Sequence, residues 1–318
     1  AAYERPLEAA DEALFGPGYV EAMIRLEKSG ALTYRGDRWY APGDDYPAQK
    51  TGIRSISSRH YALLDEANGS RLLEEVEDSA AFSRIYPGAI YLHQGESYLV
   101  SRLDIERRVA YCRPASVPYY TVPRELSEVH IVRSWRSRAL RGGHAYFGQV
   151  RVGSQVVGFW QRQQFSEEVL GEGELRLPPQ HFDTHALWLD VPAELGRAVA
   201  RQGSDFAGAL HAVEHAAIGI LPLFAMCDRL DIGGVSTAEH PDTGLPQVFI
   251  YDAVPGGTGI AEKGFALLPQ LLEATREAVE RCPCADGCPS CIQSPKCGNG
   301  NEPLDKRGAV VLLRHLQP

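Results

Sequence analysis

Five of the chain's seven cysteines fall within sixteen residues, as Cys282-Pro-Cys284-Ala-Asp-Gly-Cys288-Pro-Ser-Cys291 followed by Cys297, and any fold must accommodate them. Thiolates at C-x-C and C-x-x-C spacing let one tight loop place four sulfurs tetrahedrally at about 2.3 Å from a single zinc, with Pro283, Gly287 and Pro289 supplying the bends. Disulfides are the alternative, but the cluster has no partner cysteines elsewhere to staple, since Cys112 and Cys227 stand alone. An iron-sulfur cluster uses the same ligands and stays open at this point. With five candidates for four positions, Cys282, Cys284, Cys288 and Cys291 are assigned to structural Zn2+, and Cys297 is left as the spare. Four thiolates leave no open coordination position, so such a site folds its loop and hydrolyses nothing. Thiols reserved for metal suit a reducing, cytoplasmic compartment.

A length of 318 residues suggests two or three domains, and the pattern along the chain is α+β. Residues 1–48 read as two helices, Pro6 to Phe15 and Tyr19 to Lys28, the second with Tyr19, Met23, Ile24 and Leu26 on its apolar face and Gly30 as its stop. The strand-turn-strand pattern of Ala31 to Pro42 completes a winged-helix outline. Residues 49–192 carry short β-type runs, from Ala89 to Leu92 through Thr184 to Val191, punctuated by pairs such as Gly142-Gly143 and Gly153-Ser154. This is the pattern of a β-barrel-like domain. After Pro192 the pattern turns helical, over Glu194 to Leu230, Pro269 to Arg281 and Arg307 to Leu316, with a buried strand at Gln247 to Asp252, so 193–318 reads as a helical zinc-binding module. The longest apolar stretch, Ala216 to Met226, is interrupted by Pro222 and falls short of the roughly 20 residues of a membrane span, so no membrane partner is expected. The sequence opens Ala-Ala-Tyr-Glu without a basic-then-apolar leader, which reads as a piece of a soluble protein rather than a secreted precursor.

Three further patterns carry chemistry. His211-Ala-Val-Glu214-His215 is the H-x-x-E-H of inverted zinc peptidases, in which two His on one helical face hold a metal and Glu activates its water. The alternative is a hydrogen-bonded helical pair, since no third ligand can be named. The run Tyr251-Asp252-Ala-Val-Pro-Gly256-Gly257-Thr258-Gly259 leads from a strand through a glycine-rich loop into a helix, where backbone N–H groups of Gly256, Gly257 and Thr258 are candidates to hold a DNA phosphate. It matches neither nucleotide-binding glycine motif, and a tight structural turn is the competing reading. Net charge is −9, so a uniformly basic coat is excluded and any anion-binding surface is local. That surface is sought between Val129 and Ser166, which holds Arg133, Arg136, Arg138, Arg141, Arg151 and Arg162 with no acidic residue. Trp135, Tyr146, Phe147, Phe159, Trp160 and Phe165 interleave with them. Arginines beside aromatic rings follow a phosphate backbone and stack on bases. Otherwise the aromatics are core and the arginines pair with acids such as Glu167 and Glu168.

From His211 to the end the chain resembles the C-terminal region of superfamily-two DNA helicases. The clade is that of the mitomycin repair factor, the RecQ-like helicases and the mycobacterial DNA-dependent translocases that share a four-cysteine module. The resemblance rests on the H-x-x-E-H helix, Leu221 to Gly234, Tyr251 to Gly259, the cysteine clip, and the trailing Ser294-Pro-Lys-Cys297-Gly298 and Leu304-Asp305-Lys306. It extends to Pro87 to Gly95 and, weakly, to the N-terminal helices. It implies zinc at the four cysteines and an accessory role in a 3′-to-5′ ATP-driven DNA translocase acting in repair, with single-stranded or forked DNA as partner and a nucleoid-associated location. It lowers the peptidase reading. These residues contain no Walker A loop, no D-E-x-H box and no RecA-like βαβ series, so ATP and Mg2+ belong to motor domains upstream and this chain alone is expected to hydrolyse nothing. A protein-docking scaffold without DNA contact is the rival reading from another class.

Overall fold

The computed structural model describes residues 2–43, 59–166 and 168–317, and the chain divides into two compact units, 1–56 and 57–318. In the first, α1 (Glu12–Phe15) and α2 (Tyr19–Lys28) precede a hairpin of β1 (Thr33–Arg35) and β2 (Arg38–Tyr40), turned at Gly36 and Asp37, both at positive φ. Leu7, Tyr19, Met23, Leu32 and Trp39 form its small core. Ile24 and Leu26, expected on the apolar face of α2, are exposed, because the helix rests on a stripe only as wide as the i, i+4 pair Tyr19 and Met23. The expected boundary between residues 48 and 49 lies outside the described residues.

The second unit holds two sheets. β3 (His60–Asp65), β4 (Arg71–Glu77), β5 (Ile90–His93), β6 (Glu96–Asp104) and β7 (Val109–Pro114) form a five-stranded sheet in the order β4-β3-β7-β6-β5, with β3 and β7 parallel. Helix α3 (Asp78–Arg84) packs on it. The larger, strongly bent, near-barrel sheet is built on a long hairpin, β8 (Tyr119–Leu140) and β9 (Gly143–Gln163). On its other side β9 pairs with β11 (Gln180–Asp190) and then with β10 (Val169–Glu174). β13 (Gln247–Asp252) and β12 (Ile232–Thr237) extend the sheet beyond β11.

Gly153-Ser154, expected to break the β pattern, sits inside β9. A Cβ at Gly153 would come within 2.8 Å of Glu128 Oε1, and one at Gly148 within 2.0 Å of the Arg133 carbonyl oxygen, so these glycines serve close strand approach rather than turns. The change of pattern at Pro192 is no domain boundary either. β12 and β13 from the C-terminal region complete the sheet begun by β9 and β11, since the apolar face of that sheet has to be covered.

The cover is helical: α4 (Ala193–Ala200), α5 (Phe206–Ile220), α6 (Ile260–Ala266), α7 (Leu268–Arg281) and α8 (Lys306–His315). Their apolar residues meet Phe147, Leu187, Leu189, Val248 and Ile250 in the largest core of the protein. Phe206–Leu223, contrary to the estimate from the Ala216 to Met226 run, reaches the length and hydropathy of a membrane span. Its residues from Gly208 to Ile218 are nearly all buried against the sheet and α7 and α8, which is how an all-round apolar helix forms the centre of a domain.

Candidate metal centres and nucleic-acid interface

The clip lies between the end of α7 and the start of α8. Cys282 ends α7 in an extended conformation, Gly287 takes a positive φ, and Ile292 is fully buried beneath the loop. Sulfur separations are 3.6 Å for Cys282–Cys284, 3.5 Å for Cys282–Cys288, 3.5 Å for Cys284–Cys291 and 3.8 Å for Cys288–Cys291. Four thiolates around one zinc stand about 3.8 Å apart, whereas a disulfide requires about 2.05 Å. The geometry is therefore that of a tetrahedral metal cage.

The clip also has a cation at hand. Lys306 Nζ donates to the carbonyl oxygens of Cys282 and Cys284 at 2.7 and 2.6 Å and to Cys284 Sγ at 3.3 Å, and its side chain is buried. Burial raises the Cys284 thiol, but hydrogen bonds from Cys291, Cys282 and Lys306 outweigh it and bring it down to about 6. Burial pushes Cys291 up to about 12. Lys306 was visible in the sequence only as part of the tail Leu304-Asp305-Lys306, because nothing in its spacing ties it to the cysteines.

Cys297, the expected spare, lies apart from this cage and against the His pair. His211 and His215 meet edge-on one turn apart on α5 with ring centroids 4.2 Å apart, and His211 Nε2 lies 3.5 Å from Cys297 Sγ. Glu214 is not with them: its carboxylate faces β12, where a Cβ on Gly234 would come within 2.6 Å of Oε1, and it hydrogen-bonds Ser236. Burial lifts its carboxyl to about 7. The water-activating glutamate that a peptidase needs therefore points away from the histidines. Lys296 anchors the same loop through the carbonyl oxygens of Arg229 and Ile232.

The predicted phosphate loop binds its own carboxylate instead. Asp252, fully buried at the end of β13, accepts from the backbone N–H groups of Thr258 (2.5 Å), Gly259 (2.8 Å) and Ala261 (2.7 Å). Gly256 N–H donates to Asp183 O and Gly257 N–H to Val254 O. Every amide offered to a phosphate is thus already paired within the protein.

The arginine segment divides. Arg133, Trp135, Arg136 and Arg138 lie on β8, where Arg133, Trp135 and Arg136 are exposed, and Arg141 sits in the turn of the hairpin. Trp135 packs edge-on against Phe147 and His185, and His185 in turn abuts Gly257, so the tryptophan and the glycine loop share one patch. Arg136 is paired with Glu262 of α6 at 2.7 Å, and Arg151 with Asp183 at 2.7 Å. Among the described residues Arg133, Arg138 and Arg141 form no ion pair. Phe147 and Phe159 are core, while Trp135 and Phe165 are exposed. The expected partner Glu167 lies outside the described residues. The acids that do pair, Glu262 and Asp183, are far along the chain and were not visible as partners in the sequence.

A sulfur cage closing the end of a helix that covers a bent sheet defines a zinc module, and comparison shows what it resembles. The chain is similar over most of its length to ATP-dependent helicases. Within it, residues 213–292 match the MrfA Zn-binding domain. The uncharacterized ATP-dependent helicase YprA of Bacillus subtilis is 31% identical over 298 residues, covering 92% of this chain and 39% of that protein. The uncharacterized protein MJ1572.1 of Methanocaldococcus jannaschii is 42% identical over 110 residues, 34% of this chain and 98% of its own length. The crystal structure of the DUF1998 helicase MrfA bound to DNA aligns with 93% of this chain and 39% of that one, at a TM-score of 0.59 and 28% identity. The chain thus spans about three to four tenths of the length of the helicases it matches. The cofactor is zinc, and the four-cysteine cage fits it.

Proposed function

We propose that this chain is the DNA-engaging accessory region of an ATP-dependent, 3′-to-5′ superfamily-two DNA helicase that acts in DNA repair in the cytoplasm, associated with the nucleoid. Motor domains outside these residues supply ATP and Mg2+ chemistry. The four cysteines hold Zn2+ as a structural ion, and the N-terminal helices and hairpin serve as a winged-helix module. The observation that carries the DNA reading is the strip of Arg133, Trp135 and Arg136, exposed on β8, with the half-buried Arg138 beside them, a cationic and aromatic row on a protein of net charge −9. Likeness to MrfA, whose crystal structure is of a DNA-bound helicase, supports it. Single-stranded or forked DNA is the partner such a row suits, since guanidinium groups neutralise phosphates and an exposed indole stacks on an unpaired base.

A scaffold that docks protein is favoured by one observation, the pairing of Arg136 and Arg151 with acids of the same chain. Fluorescence anisotropy with a labelled forked oligonucleotide decides between them. Affinity is expected to fall steeply as salt rises, and Arg133→Glu with Arg138→Glu to weaken binding regardless of sequence. Equal binding by the variant at low salt favours the scaffold. The chain by itself is expected to show no DNA-stimulated ATP hydrolysis.

A further inference from the structure

We propose that His211, His215 and Cys297 form a second zinc site, distinct from the four-cysteine cage, which ties the loop of residues 293–303 to helix α5.

The ligand atoms of these three residues all lie within 4.8 Å of one another. The 3.5 Å between His211 Nε2 and Cys297 Sγ is close to the roughly 3.6 Å that zinc–nitrogen and zinc–sulfur bonds of about 2.0 and 2.3 Å produce at a tetrahedral angle. The remaining ring nitrogens settle the tautomers. His211 Nδ1 lies 2.8 Å from the Pro303 carbonyl oxygen, and His215 Nδ1 lies 2.9 Å from that of Ile292. A carbonyl can only accept, so both Nδ1 atoms carry the proton and both Nε2 atoms present lone pairs, as metal-bound histidines backed by a carbonyl do. Cys297 Sγ accepts the Asn301 N–H at 3.3 Å, a contact that favours sulfur as an acceptor.

Without a metal this arrangement is incompletely satisfied. A thiol carries one proton and can donate it to only one of the two imidazole lone pairs at a time. The loop is held by hydrogen bonds, such as those of Lys296 and between Ser294 and Asn301, with little apolar burial to add to them. Residues 293–303, Gln-Ser-Pro-Lys-Cys-Gly-Asn-Gly-Asn-Glu-Pro, bring no large apolar side chain to bury. Imidazole and thiolate donors together select zinc over the hard cations. Three protein ligands leave the fourth position to water. Glu214, turned toward Gly234 and Ser236, is not placed to use that water as a base.

The test is the zinc content of the 318-residue chain purified under reducing conditions, with zinc K-edge absorption on the same sample. The wild type is expected to carry two zinc ions and to show imidazole scattering besides sulfur. Cys297→Ser and His211→Gln are each expected to carry one, with an all-sulfur shell. Circular dichroism shows whether the variants are folded, and the wild-type spectrum stands independently of them. A wild type that saturates at one zinc with an all-sulfur shell overturns the proposal, as does a folded Cys297→Ser chain with undiminished zinc.

Discussion

Lys306 Nζ lies 3.3 Å from Cys284 Sγ, bringing the first residue of α8 into contact with the sulfur cage. Zinc with four thiolates carries a net charge of −2, and a buried ammonium beside one sulfur offsets part of it while its two carbonyl bonds fix the loop around the ion. Lys306→Met is therefore expected to weaken zinc binding about 10- to 100-fold in competition with a chromogenic chelator. Unchanged affinity would reduce Lys306 to a helix-terminal residue with no part in the cage.

Removing a cage ligand should unfold the loop locally and leave the sheet intact. Cys288→Ser or Cys291→Ser is expected to lose the caged ion and to expose residues 282–300 to limited proteolysis, because structural zinc in small modules is worth on the order of 10 kcal/mol. The cleavage map checks this: new sites between α7 and α8 are expected, and none in β9.

Asp252 is buried and accepts from the backbone N–H groups of Thr258 and Gly259 in the glycine loop and of Ala261 at the start of α6. Asp252→Ala is expected to cost about 3 to 5 kcal/mol in chemical unfolding, since it leaves those donors unsatisfied. Inorganic phosphate is expected not to raise the melting temperature of the wild type. A phosphate-dependent rise would show that the loop opens to anions after all.

Asp242 gives a pH dependence. Burial raises its carboxyl, but hydrogen bonds from His130 at 3.0 Å and the Ile131 N–H at 2.8 Å outweigh that and hold it below the usual carboxylate range. A lowered carboxyl contributes stability that is present above its unfolded value of about 4 and is lost as pH falls through the folded one. Asp242→Ala is expected to cost about 1 to 2 kcal/mol at neutral pH and to flatten the acid limb of the stability curve. A variant whose acid limb matches the wild type would assign that limb to other groups.

How much of this was legible in the sequence depended on range. The cage was, since four sulfurs within ten residues specify a tetrahedron whatever surrounds them. Two helices and a hairpin at the N-terminus were also legible, through local periodicity and the Gly36-Asp37 turn. The role of Cys297 was not, because its partners lie on a helix some eighty residues earlier and only the folded chain brings them together. Strand continuity was hidden for a different reason. Gly153 read as a break, yet it is glycine because the Glu128 side chain occupies the space of a Cβ. The arginine row was recognised as a row, but which arginines remain free is decided by Glu262 and Asp183, whose approach local pattern cannot foretell.

Helix α8 begins at the cage and ends under the turn of the long hairpin, where a Cβ on Gly142 would strike the His315 carbonyl oxygen at 2.6 Å and Arg141 N–H bonds Gln317 O. Ten residues of helix make a strut about 15 Å long. One end bears on metal-tied loop and the other on the strand that carries the arginines. The turn of the hairpin and the cysteine cage are therefore joined by one stiff element, with His315 at one end and Lys306 at the other.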